Sequence, residues 1–252
     1  MIIDADLRAV VTGGASGLGA AVARLLAAQG ARVALFDLNH AAARALATQL
    51  RGIACAVDVS DAESVAAGLS EVRAAFGGID VLANCAGIAP AAKTVSHGMA
   101  HDAGLFARVI GVNLMGSFNC ASQAAAIMSE NAPRGDDGLR GVVLNTASIA
   151  AYEGQVGQIV YAASKGGVVS MTLPMARDLA PLGIRVCTLA PGLFCTPLLE
   201  GLPPEVQASL GAQVPFPARL GAPAEFACHV IENDMLNGEV IRLDGALRMN
   251  VR

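Results

Sequence analysis

The chain alternates short apolar runs with longer helix-forming stretches from its first residues onward. Ala9–Thr12 is an apolar run that breaks into a glycine-rich turn at residues 13–19, and an Ala/Leu-rich helix then extends to about Gly30. A second strand over Arg32–Asp37 and a helix over His40–Leu50 repeat the unit. Strands that alternate with helices at this spacing pair in parallel through right-handed crossovers. The pattern therefore predicts an α/β fold, a Rossmann-type doubly wound parallel sheet.

The rest of the chain continues this alternation. Further strands are predicted over Ile53–Val57, Val81–Ala83, Val142–Asn145, Ile184–Leu189 and Glu239–Leu243. Helices are predicted from a capping box at Ser60 and Glu63 to Gly77, over Arg108–Met128, and through Tyr161 to Leu179. Residues 89–101 are predicted to be irregular and residues 131–140 a surface loop, and residues 194–223 are rich in Pro and Gly. Since no repeat or linker divides the chain, residues 1–252 are predicted to form one domain.

Charge and cysteine content argue against several classes of partner. The chain has 17 basic and 21 acidic residues, a net charge of −4, and no basic block, so we expect neither a nucleic acid nor an anionic membrane partner. No apolar run approaches the roughly 18 residues that cross a bilayer. The six cysteines lack both the C-x-x-C pairing of zinc sites and the density of a disulfide scaffold. We expect a soluble, cytoplasmic protein with reduced thiols.

The glycine turn after the first strand is suited to a dinucleotide. Glycines let the backbone approach a pyrophosphate, and the N–H groups at the following helix start favour its negative charge. Asp37, about 20 residues on, can accept hydrogen bonds from the adenosine ribose and would repel a 2′-phosphate. Gly14 and Leu38 stand where a basic residue would receive that phosphate. The pattern predicts NAD rather than NADP, the alternative being a turn with only a structural purpose.

Tyr161 and Lys165 have the spacing of neighbours on one helix face. An ammonium held near a phenol stabilises the phenolate and lowers the tyrosine pKa toward the range of a proton-transfer catalyst. By itself the pair also fits an ordinary exposed helix face. The pair becomes informative only together with polar motifs elsewhere in the chain.

Those motifs, taken together, resemble the short-chain dehydrogenase/reductase family. They are Thr12-Gly13-x-x-x-Gly17-x-Gly19, Asp58-Val59, Asn84-Cys85-Ala86-Gly87, Asn113, Ser148, Tyr161-x-x-x-Lys165 and Pro191-Gly192. The match spans nearly the whole chain, and the motifs stand in the family's order. The resemblance implies a dehydrogenase that uses a nicotinamide cofactor.

The resemblance also implies which residues contact the cofactor. Asp58 and Val59 would flank the adenine, although Asp58 could instead be only a neighbour of Ser60 at a helix start. The full implied set is Gly13, Ser16, Gly17, Leu18, Gly19, Asp37, Asp58, Val59, Asn84, Cys85, Ala86, Gly87, Tyr161, Lys165, Pro191, Gly192, Phe194 and Thr196. Within it Ser16 and Leu18 would meet the pyrophosphate, and Cys85 and Phe194 would lie along the nicotinamide half.

Four residues are implied to be catalytic: Asn113, Ser148, Tyr161 and Lys165. Tyr161 would be the base in oxidation and the acid in reduction, and Lys165 would lower its pKa and hold the nicotinamide ribose. Ser148 would donate a hydrogen bond to the substrate oxygen. Asn113 would hold a water beside Lys165. Taken singly, Ser148 also fits a helix cap or turn, and Asn113 a structural hydrogen bond.

Longer segments resemble a branch of the family that oxidises 3-hydroxyacyl-CoA in fatty acid metabolism and tolerates hydroxysteroids. They are residues 112–119, 153–158, 190–199 apart from Cys195, 213–217 and 236–246. The implied substrate site includes Ser148, Gln155 and Tyr161, with a substrate loop at about residues 194–217. Such proteins are usually homotetramers, with the strand at 240–243 at an interface. Residues 224–235 are about one helical turn shorter than the family pattern.

Other interpretations remain. A dehydrogenase of the same family that acts on a steroid, small alcohol or sugar fits the same catalytic residues, and a non-catalytic NAD-binding scaffold or a role in RNA processing is a further alternative. His97 and His101 have the spacing of a metal pair, but no Glu follows His97, and we expect no metal. Cys195 lacks a visible His partner and is interpreted as a pocket wall.

Overall fold

The structure is a computed structural model that describes residues 1–195, 203–221 and 225–251. Within these residues, seven strands form one sheet in which every neighbouring pair is parallel. They are β1 Arg8–Thr12, β2 Arg32–Asp37, β3 Ile53–Ala56, β4 Val81–Asn84, β7 Gly141–Thr146, β8 Ile184–Pro191 and β9 Val240–Leu243, in the order β3-β2-β1-β4-β7-β8-β9. The predicted doubly wound parallel sheet is confirmed.

The helices lie between these strands along the chain. They are α1 Gly17–Ala28, α2 His40–Leu50, α3 Ala62–Phe76, α4 Ala103–Ile110, α5 Gly116–Met128, α6 Ala150–Glu153, α7 Ile159–Leu179, α8 Pro204–Ala212 and α9 Glu225–Glu232. A π-helical segment, Gly111–Met115, joins α4 to α5, and a 3₁₀ turn at Ala180–Leu182 follows α7. In the part of the chain that is described, no helix is both long and apolar enough to cross a membrane.

The two faces of the sheet carry separate apolar cores. Ala9 and Val11 of β1 belong to a buried cluster with Leu26 of α1, whereas Val10 belongs to a second cluster with Leu69 of α3. Successive strand side chains point to opposite faces, so a run of apolar residues with no polar alternation is buried on both sides. This explains why the strands read as continuous hydrophobic runs in the sequence.

Helix α3 does not begin with the predicted capping box. Its N-cap is Asp61, whose Oδ1 accepts a 2.9 Å hydrogen bond from the N–H of Glu63. The Ser60 hydroxyl instead donates to Asp58 Oδ1 at 2.6 Å. The prediction was wrong by one residue because the Asp58 carboxylate provides a charged acceptor two residues before Ser60, which holds the hydroxyl outside the helix.

The long helix predicted over Arg108–Met128 starts earlier and is interrupted. It begins at Ala103, after Asp102, whose Oδ1 accepts from the Gly104 N–H at 2.8 Å. The π-helical segment then inserts an extra residue into the turn that contains Asn113. Apolar periodicity does not distinguish α from π winding, so the sequence could not reveal this change.

Two further differences lie in segments rich in turn residues. Residues 89–101, predicted to be irregular, contain an antiparallel hairpin of β5 Val95–Ser96 and β6 Met99–Ala100. The Pro- and Gly-rich stretch contains α8, which no sequence signal predicted because its residues are mostly exposed. Helix α9 is eight residues long, and its comparison with the family pattern remains a prediction.

Candidate active site

The turn after β1 can be built only with glycine at two positions. Gly13 has φ +62°, and a Cβ there would lie 2.9 Å from the backbone of Ala86. A Cβ on Gly19 would overlap the carbonyl oxygen of Gly13. Glycine allows both the left-handed backbone and the close approach of α1 to the turn. The turn is therefore packed tightly against the end of β4.

Helix α1 presents its N-terminus to a cavity beside this turn. Its N-cap is Ser16, whose side chain caps no N–H, and the first turn contains no acidic residue. Gly17, Leu18 and Gly19 line the cavity. Uncapped N–H groups and the positive end of the helix dipole favour an anion at this position.

The cavity has a volume of about 450 Å³ and gathers most of the predicted cofactor residues. From the predicted set it is lined by Gly13, Ser16, Gly17, Leu18, Gly19, Asp37, Asp58, Val59, Cys85, Ala86 and Gly87. Asp37 lies at the end of β2, where Oδ2 accepts from the Ala15 N–H at 3.0 Å and Oδ1 accepts from the Asn39 N–H at 2.8 Å. The glycine turn, the open helix start and the carboxylate together fit a dinucleotide.

A second cavity of about 420 Å³ adjoins the first, because both are lined by Leu18, Cys85, Gly87 and Ile88. Ser148, Gln155 and Tyr161, the residues that the resemblance implies for a substrate site, line it together with Lys165. Pro191, Gly192 and Phe194, from the end of β8 and the residues after it, form another wall. The nucleotide cavity therefore opens beside the proposed catalytic residues.

Ser148 and Tyr161 line the same cavity. The Ser148 Oγ accepts from the Ala150 N–H at 3.1 Å, so its own proton is available for donation. Burial raises the pKa of Tyr161 above the ordinary value of a phenol, and the Ser148 hydroxyl lowers it by a smaller amount. Ser148 thus has both a turn role and a place in the same cavity wall as the phenol.

Lys165 is almost fully buried, with 4% of its surface exposed. Its Nζ donates a 2.6 Å hydrogen bond to the Thr146 carbonyl oxygen and lies 5.9 Å from the centre of the Tyr161 ring. Burial lowers the pKa of Lys165 to about 8. The sequence predicted that Lys165 would lower the pKa of Tyr161. In the structure burial has the larger effect on both side chains, raising the pKa of Tyr161 and lowering that of Lys165.

Asn113 lies behind the cavity rather than in its wall, and it is fully buried. Its Oδ1 accepts from the Ile88 N–H at 2.8 Å, and its Nδ2 donates to the Ile88 carbonyl oxygen and to Ser164 Oγ. Both amide N–H groups and one lone pair of Oδ1 are thus bonded within the protein. The Asn113 main-chain carbonyl accepts a further hydrogen bond from the Ser117 hydroxyl at 2.7 Å.

Asn84, another predicted residue, lies in neither cavity wall. Asn84 is buried at the end of β4, where its Nδ2 donates to Asn145 Oδ1 and to the Ser117 carbonyl oxygen. Its place therefore supports the strand ends behind the site. Thr196 lies outside the described residues.

Sequence reasoning missed contacts that depend on distant parts of the chain. The Thr12 hydroxyl accepts from the N–H groups of Cys85 and Ala86, both at 3.1 Å, and so fixes the β4 end against β1. Thr146 supplies the carbonyl for Lys165, and Met249 near the C-terminus lines the catalytic cavity. The position of Thr12 directly before the glycine turn was a local sequence signal for its role. No local sequence signal pointed to Met249.

A parallel sheet with a dinucleotide-sized cavity beside a Ser-Tyr-Lys cluster defines a class of protein, the nicotinamide-dependent oxidoreductases. A family model described as short chain dehydrogenase matches residues 8–207. The chain belongs to this family of enzymes, as its motifs predict.

Known relatives extend the similarity over the whole chain. The chain is 55% identical over 251 residues to the 3-hydroxyacyl-CoA dehydrogenase type-2 of Bos taurus, covering 96% of this chain and 95% of that protein. It is 54% identical over 250 residues to the protein of the same name from Homo sapiens, with the same coverage. The crystal structure of 3-hydroxyacyl-CoA dehydrogenase type-2 from Mycobacterium avium superposes with a TM-score of 0.92 at 40% identity, covering 98% of both chains.

Proposed function

We propose that this protein is an NAD-dependent dehydrogenase that interconverts 3-hydroxyacyl-CoA and 3-ketoacyl-CoA. The observation that carries the proposal is the gathering of Ser148, Tyr161, Lys165 and Gln155 in a cavity that adjoins the nucleotide cavity. The substrate class is supported by relatives of that name, which are 54% and 55% identical over almost their entire length.

In this proposal the protein's residues move the proton of the substrate hydroxyl, and the bound nicotinamide would accept hydride from the carbon that bears this hydroxyl. Tyr161 takes the proton from the substrate hydroxyl, and Ser148 donates a hydrogen bond to the oxygen as it becomes a carbonyl. The Lys165 ammonium would stabilise the phenolate and would help to hold the nicotinamide ribose. Asn113 lies near Lys165, since a Cβ built on Gly87 would lie 3.2 Å from Asn113 Oδ1 and 3.7 Å from Lys165 Nζ.

The preference for NAD rests on Asp37. Its carboxylate lies in the wall of the nucleotide cavity, and its neighbour Leu38 is 74% exposed and uncharged. A 2′-phosphate would meet the negative charge of Asp37 with no cation from residue 38 to offset it. NADP is therefore expected to bind poorly.

The homotetramer and the cytoplasmic location belong to the same proposal. Strand β9 is at one end of the sheet order, which suits an interface, and α4 to α5 expose large apolar side chains at Phe106, Met115 and Phe118. All six cysteines lie among the described residues and none is in a disulfide, which suits a reducing compartment.

The second candidate is a dehydrogenase of hydroxysteroids or other secondary alcohols. The walls contributed by Ile149, Leu193, Phe194 and Met249 are apolar and would accept such a ring system. A non-catalytic NAD-binding scaffold is a third candidate, against which the complete Ser-Tyr-Lys cluster argues.

One assay separates these candidates. Reduction of NAD is followed with 3-hydroxybutyryl-CoA and, in parallel, with a steroid alcohol and a polyol, for the wild type and for Tyr161→Phe. We expect the highest kcat/KM with the CoA thioester, and in Tyr161→Phe loss of most turnover with nearly unchanged cofactor binding. A higher kcat/KM for the steroid favours the second candidate, and wild-type rates in Tyr161→Phe would refute the mechanism.

A further inference from the structure

The C-terminal segment (residues 244–251) contributes one side chain to the wall of the catalytic cavity. Met249 from this segment lines the cavity together with Ser148, Ile149 and Gln155. Ile149 directly follows Ser148, and it packs in a small apolar cluster with Leu247 and Met249. A side chain far from the motifs in sequence is thus a neighbour of the residue that contacts the substrate oxygen.

Three hydrogen bonds tie the C-terminal segment to the stretch between Ser148 and Tyr161. Glu153 Oε2 accepts from the Met249 N–H at 3.1 Å, and Gln155 Nε2 donates to the Asn250 carbonyl oxygen at 3.0 Å. The Val156 N–H donates to the Val251 carbonyl oxygen at 3.2 Å. Gln155, predicted to contact substrate, therefore uses part of its amide to hold the segment.

Charged groups fix the same segment from the sheet side. Arg242 of β9 pairs with Glu153 at 2.8 Å and with Asp244 at 2.7 Å, and its Nη2 also donates to the Leu247 carbonyl oxygen at 3.2 Å. Arg248 adds longer contacts to Glu153 and Asp244, at 3.3 and 3.4 Å. The side chains of Glu153, Arg242 and Asp244 are 20%, 24% and 7% exposed, so water screens these pairs less than it screens surface pairs. The segment is anchored on both sides of Met249.

We propose that Met249 determines substrate specificity by limiting the length of the acyl chain, and that Glu153 is the residue that positions it. This inference rests on the proposed function, because it assigns a wall to the acyl end of the same substrate. Met249 occupies space at one wall of the cavity that a longer acyl chain would need, whereas a short acyl group would fit beside it. A wall contact of this kind changes selectivity more than it changes the chemical step.

The test compares kcat/KM for four-carbon and ten-carbon 3-hydroxyacyl-CoA substrates in the wild type, Met249→Ala and Met249→Phe. Met249→Ala is expected to raise the ten-carbon to four-carbon ratio about tenfold, and Met249→Phe to lower it. Met235, which is 91% exposed, provides the matched control, since Met235→Ala removes a methionine that lines neither cavity. An unchanged ratio in both Met249 variants overturns the inference.

Glu153→Gln tests the positioning role. The variant keeps the size of the side chain but weakens the pairs with Arg242 and Arg248, so the ratio should shift in the same direction as in Met249→Ala, by less. A lower melting temperature with an unchanged ten-carbon to four-carbon ratio would show that Glu153 has only a structural role. That result would overturn the assignment of Glu153 as the residue that positions Met249.

The wild-type activity and one further substrate series distinguish a failure of this inference from a failure of the proposed function. If the wild type oxidises no acyl-CoA, the proposed function itself fails, whereas a wild type that is active but has a ratio independent of residue 249 refutes only the inference. The series is repeated with N-acetylcysteamine thioesters, where the shift should persist. A shift seen only with CoA would place Met249 at the CoA arm and overturn the assignment to the acyl chain.

Discussion

The ammonium of Lys165 is bonded to the carbonyl oxygen of Thr146 at 2.6 Å, which joins the middle of α7 to the end of β7. The contact fixes a lysine that is almost fully buried. Its partner Thr146 lies two residues before Ser148, which lines the catalytic cavity. Burial lowers the pKa of Lys165 to about 8 and raises the pKa of the neighbouring Tyr161. Lys165 is therefore the first of the two side chains to lose its proton, near pH 8.

The pH dependence of the two reaction directions follows from this pair. Reduction needs both groups protonated, so its kcat/KM should be constant below about pH 8 and fall above it. Oxidation needs Tyr161 without its proton, and because burial raises the pKa of Tyr161 the kcat/KM for oxidation should rise with pH through the alkaline range. Steady-state profiles in both directions measure this, and a reduction rate that stays constant to pH 10 would contradict it.

Local sequence patterns were sufficient to predict part of the candidate site. The glycine turn and the Tyr161/Lys165 spacing are fixed by the backbone of one strand-turn-helix unit and one helix, so the sequence predicted them. The contact of Lys165 with Thr146 and the wall formed by Met249 join residues that are distant along the chain. Only the packed fold brings such residues together, and only burial in it determines the direction of the pKa of Tyr161.

Cofactor preference should depend on Asp37. Asp37→Ser combined with Leu38→Arg removes the repelling carboxylate and adds a cation beside the ribose, so kcat/KM with NADP should rise relative to NAD by at least about tenfold. The ratio of the two kcat/KM values measures the change. Asp37→Asn is the control for the bonds to Ala15 and Asn39, since its amide oxygen can still accept one of them. A wild type that prefers NADP would contradict the assignment.

Stability should depend on the buried Asp80. Its side chain is 1% exposed and accepts from Arg8 Nε and Nη2, both at 2.7 Å, while Arg134 lies at 3.3 Å. Asp80→Ala leaves the Arg8 guanidinium without its acid, so the free energy of unfolding should fall by about 3–5 kcal/mol. Urea denaturation measures this change.

The control for Asp80 is an exposed pair. Arg73 and Glu130 are joined by a 2.5 Å contact, but their side chains are 53% and 60% exposed. Glu130→Ala should therefore cost less than about 1 kcal/mol. Equal losses of unfolding free energy in Asp80→Ala and Glu130→Ala would show that burial does not make the Asp80 pair more stabilising than an exposed pair.

The glycine turn gives a prediction for cofactor binding that is separate from catalysis. A methyl group on Gly19 would overlap the Gly13 carbonyl oxygen, so Gly19→Ala must push α1 away from the turn and distort the anion site at its N-terminus. The dissociation constant for NADH, measured by fluorescence titration, should rise at least about tenfold, which corresponds to about 1.4 kcal/mol. Gly166→Ala in α7 is the matched control, because a Cβ there meets nothing within 4 Å. That control should keep its NADH affinity and gain a little helix stability. Equal NADH affinity in Gly19→Ala and the wild type would show that the close approach of α1 to the turn is not needed to bind the cofactor.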